Sequence, residues 1–286
     1  MIKYIIVVLV LIFAALAFMY VTTNSPSVYQ ETISFAVNPH IYNNPDRSIK
    51  DIKIVVFYFI PKDRITLQVA DWKEILESRL KELASFHLLQ LRGTSRIHYD
   101  IYPEPVIGFK EAAQYDTNIT ERGNPQALLH VAKEIDTRVF DPAGDLYRQD
   151  FSITRKDAYP VLLILYEGVG ASGGIIYDSE SGSVSEVAQK LGLSESIIHP
   201  VEIKTVDSFL LLNRKYITDK QDVGAGTTIL AHEFYHTLGV PDGYEEIEED
   251  GIQTAVSTSN DIMGIGRIYP IDKAYLSSEF LKGLGL

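Results

Sequence analysis

The chain of 286 residues contains no cysteine. This absence excludes disulfide bonds, zinc sites built on thiolates and a cysteine nucleophile. It leaves the compartment open, because a protein without cysteine tolerates oxidising and reducing environments alike. Every form of cysteine chemistry is therefore excluded from the function.

Positive charge is also scarce, since 26 Lys and Arg oppose 38 Asp and Glu and give a net charge of −12 at pH 7. No cluster of Lys or Arg could follow a phosphate backbone, so nucleic acid is not an expected partner. The composition, 46% hydrophobic and 22% charged, argues against wholesale disorder. A chain of this length can bury a sizeable core.

The N-terminus carries a long uncharged stretch. After Lys3, residues 4–21 are apolar, which is just long enough for a helix to cross a bilayer. The single lysine before this stretch favours an N-terminus that stays inside and a remainder that is exported. We therefore predict a membrane anchor over residues 1–24 and an extracytoplasmic location for the rest. The alternative is a signal peptide cleaved after Ala15-Leu16-Ala17, which would give a secreted protein.

Residues 25–49 have little periodicity and several turn-forming residues, so they are predicted to be a linker or stalk. Buried strands and amphipathic helices alternate beyond it. Strands are predicted at 52–60, 96–102, 159–166, 175–177 and 209–217, and helices between Asp71 and Gly93, around 125–139 and over 224–238. This order predicts an α/β fold with a mostly parallel sheet.

The last predicted helix contains two histidines four residues apart. This spacing places His232 and His236 on one face, one turn apart, where both can hold a single metal ion. Glu233 is offset in angle, so it can act as a general base on a water at that ion. Gly239 allows the chain to leave the helix in a left-handed turn, after which the Asp242 carboxylate can swing back as third ligand.

The run His-Glu-Phe-Tyr-His-Thr-Leu-Gly-Val-Pro-Asp-Gly-Tyr-Glu, which starts at His232, resembles the active-site segment of metzincin-clan zinc peptidases. The similarity is to the variant with aspartate as third ligand, found in snapalysin-type and immune-inhibitor-A-type peptidases. Metzincins also have a methionine turn beneath the metal, and Ser-Asn-Asp-Ile-Met-Gly places Met263 in that position. The resemblance implies that Met263 supports the ligands without binding the ion.

The resemblance further implies a metzincin-like catalytic domain over residues 50–286. Its upper part, 50–241, would hold a twisted, mostly parallel sheet, two backing helices and the active-site helix. Its lower part, 242–286, would hold the methionine turn and a final helix from Tyr275 to Leu284, capped by Ser277 or Ser278. The implied activity is hydrolysis of peptide bonds in proteins or peptides with one catalytic Zn²⁺, and the expected substrate-binding edge is 173–177.

The chain departs from the metzincin pattern after the methionine turn. In some relatives a tyrosine two residues after the methionine stabilises the oxyanion, and this position is Ile265 here. Tyr244, Tyr269 and Tyr275 are the candidate substitutes. The acidic tract 245–250 is predicted to be a solvated loop.

Three alternatives to the zinc endopeptidase remain open from the sequence. The first is an exported zinc-binding domain without peptidase activity. The second is a glutamate as third ligand, Glu245 or Glu246 in place of Asp242. The third is a cell-wall peptide as substrate. Oligomeric state has no signature in the sequence.

Overall fold

The computed structural model describes residues 37–115, 125–143, 146, 157–168, 173–176, 208–215, 225–249 and 252–286. Within these ranges, no helix combines the length and the hydrophobicity needed to cross a bilayer. The predicted anchor over residues 1–24 lies outside the described residues, as do Tyr177 and most of the predicted linker.

Ten strands occur in the part of the chain that the structure describes. They are β1 (His40–Ile41), β2 (Asn44–Ser48), β3 (Asp51–Ile60), β4 (Arg96–Ile101), β5 (Val106–Ile107), β6 (Tyr159–Tyr166), β7 (Gly173–Ile176), β8 (Ser208–Asn213), β9 (Tyr244–Glu249) and β10 (Ile252–Ser257). The longest, β3 and β6, are two of the strands that the sequence predicts, and both are mostly apolar.

Four helices matter for the site, and they are α1 (Trp72–Gln90), α2 (Pro125–Ile135), α3 (Ala225–His236) and α4 (Ser278–Gly283). Asp71 holds the predicted cap position of α1, but its side chain makes no capping hydrogen bond. Gly93, at φ +78°, ends the helical region as predicted, with its N–H bonded to the carbonyl oxygen of Leu88 at 2.8 Å. Ser277 caps α4 by accepting a hydrogen bond from the Phe280 N–H at 3.3 Å.

The central sheet has the strand order β4-β3-β6-β8-β7, and β5 pairs with the end of β3. All these pairings are parallel except that of β7, which lies antiparallel to β8 at the edge of the sheet. The structure therefore confirms an α/β fold with a mostly parallel sheet. The predicted strand over 209–217 ends earlier, at Asn213.

Side chains on both sides of β3 and β6 are buried, because helices cover both faces of the sheet. On one face, Ile54 and Val56 share a core cluster with α1, α3 and the C-terminal residues. On the other face, Val55 and Phe57 join a second cluster with side chains from α2 and the π-helical turn Asp136–Phe140. The two helices predicted to back the sheet thus lie on opposite faces of it.

The N-terminal boundary of the folded unit differs from the prediction. Residues 37–49 belong to the same compact unit as the rest of the described chain, not to a linker. β1 and β2 form an antiparallel pair, and the side chains of Ile41 and Ile49 are buried in the core. The apolar residues of this segment do not recur at helix or strand spacing, so the sequence does not distinguish the segment from a linker.

The acidic tract is likewise not a loop over most of its length. Tyr244–Glu249 form β9, which pairs antiparallel with β10 in register from Tyr244↔Ser257 to Glu249↔Ile252. The ribbon begins two residues after Asp242, so the third predicted ligand lies between the site helix and this ribbon. Because most residues of this segment are acidic, the sequence does not reveal that it forms a strand paired with β10.

Candidate metal centre

The site is built on α3, which ends at His236 and passes into a tight turn. The Gly239 N–H bonds to the carbonyl oxygen of His236 at 2.9 Å, and Gly239 has φ +81°, where side chains are strained. A Cβ atom there would also lie 3.2 Å from Ile176 Cδ1. The glycine therefore lets the chain reverse under β7 and carry Asp242 back toward the helix.

Three donor atoms converge at this turn. His232 Nε2 and His236 Nε2 are 3.2 Å apart, and Asp242 Oδ1 lies 3.3 Å from the first and 3.2 Å from the second. The three atoms form a nearly equilateral triangle. Among the described residues, this is the one group of three or more potential ligands that could hold a metal ion.

The other nitrogen of each imidazole is held by the backbone. His232 Nδ1 lies 2.9 Å from the carbonyl oxygen of Ile262, and His236 Nδ1 lies 2.8 Å from that of Val240. A carbonyl oxygen accepts only, so each Nδ1 carries a hydrogen, and in its neutral form each ring would present a lone pair at Nε2. Two lone pairs facing each other at 3.2 Å repel unless a cation or a proton lies between them.

The methionine turn anchors two parts of the site through its backbone. Ile262 accepts the hydrogen bond from His232, and the Met263 carbonyl oxygen accepts one from the Gly243 N–H at 2.8 Å. Met263 is fully buried in the core. Two backbone carbonyl groups of the turn, those of Ile262 and Met263, therefore hold His232 and Gly243 in place.

Asp261 holds the methionine turn in shape, and the sequence analysis missed this role. Its carboxylate is fully buried and accepts from Ser259 Oγ at 2.7 Å, Met263 N–H at 3.0 Å and Ser277 N–H at 3.0 Å. It thus connects the turn to the cap of α4. An aspartate two residues before the methionine was visible in the sequence, but its three partners were not.

Glu233 is 9% exposed and lies on α3 next to the first ligand. Its carboxylate is outside the converging triangle and close enough to His236 to raise the pKa of that imidazole. β7 lies directly against this part of the helix, because a Cβ atom on Gly174 would be 2.1 Å from the Glu233 carbonyl oxygen. The absence of a side chain at Gly174 lets the sheet edge approach the site.

Of the three candidate tyrosines, only Tyr244 contacts the ligand group. Its ring stacks on His232 with centroids 6.2 Å apart, and the guanidinium carbon of Arg267 lies 4.0 Å from its centroid. Burial raises the pKa of Tyr244 to about 12, with Asp242 as the next cause, so its hydroxyl keeps its proton at neutral pH. Tyr269 and Tyr275 are 44% and 45% exposed.

The electrostatics of the metal-free triangle favour one shared proton. Burial acts against a charged imidazole, but the Asp242 carboxylate outweighs burial and raises the pKa of His236 to about 9. Burial alone would favour a neutral Asp242, yet hydrogen bonds from both imidazoles hold the pKa of that carboxyl well below its usual range. A cation entering the triangle must therefore displace a proton from His236.

Two histidines outside the candidate site, His87 and His98, have structural partners. His87 is fully buried, and burial lowers its pKa to about 3, so it stays neutral. Its ring bridges Ser95 Oγ at 2.6 Å and the Tyr235 hydroxyl at 3.3 Å. His98 pairs with Asp51 at 3.1 Å. Both residues therefore have structural contacts within the fold.

A comparison with protein families found no family that matches the chain, and a comparison with characterised protein sequences found no match either. The site therefore has to be interpreted from its own geometry. Two imidazole nitrogens and one carboxylate oxygen, with a buried carboxylate beside them, form a group that could bind a metal ion.

Glu245, one of the two alternative third ligands, is not part of this group. Glu245 is exposed and is paired with Val256 in the β9–β10 ribbon. The side chain of Glu246 lies outside the described residues. The carboxylate that meets the two imidazoles is that of Asp242.

Proposed function

We propose that the protein is a zinc-dependent endopeptidase of the metzincin type, with aspartate as its third ligand. The observation that carries this proposal is the convergence of His232, His236 and Asp242 to donor separations of 3.2–3.3 Å. The proposal also rests on the resemblance of the segment from His232 to Glu245, and on the position of Met263 next to the ligand turn.

The size of the triangle supports zinc. Zinc bonds to nitrogen and oxygen are about 2.0–2.1 Å long, and in a tetrahedron such bonds place neighbouring donors about 3.3–3.4 Å apart. The donor types agree, because imidazole with carboxylate suits zinc, whereas Ca²⁺ and Mg²⁺ prefer oxygen donors alone. Three protein donors leave a fourth position for water or substrate, as in catalytic sites.

His232, His236 and Asp242 would hold the ion, and zinc bound there supplies Lewis-acid polarisation of a carbonyl and a lower pKa for water. Glu233 would accept a proton from the attacking water and deliver it to the departing amine. Glu233 is buried, which suits both steps, because few bulk water molecules can reach the carboxylate and take up the transferred proton. Tyr244, which stays protonated, would donate a hydrogen bond to the developing oxyanion.

The edge of the central sheet would bind the substrate. β7 is the last strand in the sheet order, and its other edge is paired with β8. A peptide in extended conformation could add by main-chain hydrogen bonds to the edge of Gly173–Ile176 that pairs with no strand among the described residues. Gly174 approaches α3 so closely that such a peptide would pass beside Glu233. This arrangement favours a protein or unfolded peptide as substrate.

We further propose that the peptidase acts outside the cytoplasm. The apolar residues 4–21 would anchor it in the membrane, or their removal would release it. This proposal rests on the sequence alone. Fractionation of cells that express the full chain, with and without residues 1–24, would separate an anchored from a secreted product.

The decisive experiment combines metal analysis with cleavage assays on the purified chain. We expect one zinc per chain and cleavage of casein or of a peptide library. Glu233→Ala should keep the zinc and reduce cleavage by about 10²- to 10⁴-fold, because the general base is lost and the ligands remain. Glu279→Ala, an exposed carboxylate on α4, is the matched control and should change neither quantity.

Two outcomes would contradict the proposal in different ways. Stoichiometric zinc without cleavage of any protein or peptide would indicate a zinc-binding domain that is not a peptidase. Unchanged cleavage by the Glu233→Ala variant would refute the assigned mechanism. Cleavage of cell-wall peptides but not of proteins would retain the chemistry and change the substrate class.

A further inference from the structure

Arg267 lies four residues after Met263 and is half-buried beside the candidate metal centre. Its guanidinium carbon is 4.0 Å from the centre of the Tyr244 ring, and that ring stacks on the ligand His232. The Tyr244 ring therefore contacts both a residue of the candidate metal centre and a cation. We call this arrangement the His232–Tyr244–Arg267 stack.

No carboxylate among the described residues makes an ion pair or hydrogen bond with Arg267. Two aspartates of the site are already engaged: Asp242 meets the two imidazoles, and Asp261 accepts three hydrogen bonds, from Ser259, Met263 and Ser277. Other cations of the chain that are as sheltered do have partners, such as Arg138 with Glu134 and Arg214 with Glu167. Arg267 thus differs from them by its lack of a partner within the described ranges.

Stacking on an aromatic ring uses the flat face of a guanidinium and leaves its edge available. The five N–H donors of arginine lie in the plane of the group, in a fork that matches a carboxylate. The contact with Tyr244 also fixes the orientation of the fork, so less conformational entropy is lost when an anion binds. Arg267 is therefore arranged as a preformed receptor for a carboxylate.

The charge balance of the centre leads to the same conclusion. A divalent ion held by Asp242, with Glu233 buried beside it, would have its two positive charges matched by two carboxylates. The positive charge of Arg267 is then left unmatched within this group, although the chain as a whole is strongly acidic. An incoming anionic group would meet an attractive local field at this position and repulsion over much of the remaining surface.

We propose that Arg267 is a specificity-determining residue that binds a carboxylate of the substrate close to the scissile bond. The preferred substrate is then a peptide with Asp or Glu within about two residues of the cleaved bond, or a peptide whose C-terminal carboxylate lies at that distance. This inference rests on the proposed peptidase function, because the position of the carboxylate is defined relative to the bond cleaved.

The test uses the full chain loaded with zinc and a set of octapeptides in matched pairs. Each pair differs by Asp against Asn, or Glu against Gln, at one position, and each peptide is made with a free and with an amidated C-terminus. The wild type should show a kcat/KM about 10- to 100-fold higher for the acidic member at one position near the cleaved bond. A preference for the free C-terminus instead would identify the terminal carboxylate as the recognised group.

Three variants separate recognition from folding. Arg267→Ala should abolish the acidic preference, measured as the ratio of kcat/KM between the two members of each pair, and Arg267→Glu should reverse it in favour of Lys or Arg. Arg267→Lys should keep only part of the preference, because an ammonium lacks the planar fork. Lys273→Ala removes an exposed cation from the same part of the chain and should leave the preference unchanged.

Binding to the zinc-loaded Glu233→Ala variant provides a readout that does not depend on turnover. Calorimetry with the same peptide pairs should show tighter binding of the acidic member, and this difference should vanish when Arg267→Ala is added. If the wild type cleaves peptides with equal kcat/KM for acidic and neutral members, the inference is overturned while the peptidase function stands. If nothing is cleaved but binding depends on Arg267 and the carboxylate, the peptidase function fails and anion recognition by Arg267 stands.

Discussion

His232 Nδ1 donates a hydrogen bond of 2.9 Å to the carbonyl oxygen of Ile262, thirty residues away in the chain. This bond sets which nitrogen of the ring carries the hydrogen, and therefore which one faces the other donors. The orientation of His232 on α3 thus depends on the shape of a turn in a different part of the chain. The buried carboxylate of Asp261 holds the shape of this turn by accepting backbone hydrogen bonds.

Replacement of Asp261 should therefore damage both stability and metal binding. Asp261→Ala would leave the buried Met263 N–H without its acceptor and also remove the acceptor of Ser277 N–H, which should lower the free energy of unfolding by about 3–5 kcal/mol. Zinc affinity should fall about 10- to 100-fold, because the orientation of His232 is loosened. Urea unfolding and a chelator competition assay measure the two effects.

The control for this prediction is Asp272→Ala, an exposed aspartate in the same C-terminal part of the chain. It should change neither unfolding nor zinc affinity beyond a few tenths of a kcal/mol. An Asp261→Ala variant with wild-type zinc affinity would show that the methionine turn does not position His232.

The identity of the third ligand can be decided by a pair of substitutions. Asp242→Ala removes one corner of the donor triangle and should weaken zinc binding by more than about 100-fold, with loss of cleavage. Glu245→Ala removes an exposed carboxylate three residues away and should leave one zinc per chain. The reverse pattern in metal analysis would transfer the ligand role to Glu245.

Zinc affinity should rise with pH up to about 9. In the metal-free protein the Asp242 carboxylate raises the pKa of His236 from 6.5 to about 9, so at neutral pH zinc must displace one proton. Below pH 9, apparent affinity should therefore fall about tenfold for each pH unit, with release of about one proton per zinc at pH 7.5. Competition titrations between pH 6.5 and 9.5 measure the slope, and a flat profile would contradict the assignment.

The same shift predicts how the stability of the metal-free protein changes with pH. The folded state holds a proton on His236 more tightly than the unfolded chain, since the pKa is raised on folding. The resulting stabilisation is fully present below pH 6.5 and is lost as pH rises through about 9. Thermal unfolding in a chelator should therefore show this loss between pH 6.5 and 9, and Asp242→Ala should reduce it.

Residues 37–49 should be required for a stable domain, whereas the sequence predicts them to be linker. Removal of 37–49 would expose core around Ile41 and Ile49, which costs about 3–6 kcal/mol in apolar burial. It would also remove the bond from Tyr42 N–H to the Leu238 carbonyl oxygen, 2.9 Å long, beside the turn that delivers Asp242. A chain starting at residue 50 should unfold at lower urea concentration and bind zinc more weakly than a chain starting at 37.

A chain starting at residue 50 with the urea midpoint of the longer chain would contradict this prediction. The pair is well matched, because the two chains differ only in the β1–β2 segment. The comparison also tests whether removal of the N-terminal region can serve as an activation step. A cut after residue 49 should inactivate the protein, since the hairpin supports the ligand turn.

Local pattern was sufficient to predict the long elements and to select the three residues that converge at the candidate site. The apolar runs of β3 and β6 and the helical spacing of α1 report burial directly, and they agree with the structure. His232, His236 and Asp242 were proposed from spacing alone, because one turn of helix and a glycine exit leave few ways to arrange them. The structure brings their donor atoms together.

The sequence alone thus determined the α/β pattern of this protein. It also determined the three side chains on a helix and on the turn after it, because the pattern and the turn both depend on contacts a few residues apart. Tertiary structure alone decided which residues support that site. Asp261, Ile262 and Arg267 reach the site through contacts between segments distant in sequence, and β1 and β2 join the core through long-range pairing. Such contacts leave no periodic trace, because their geometry is set by how the elements pack and not by the residues adjacent in the chain.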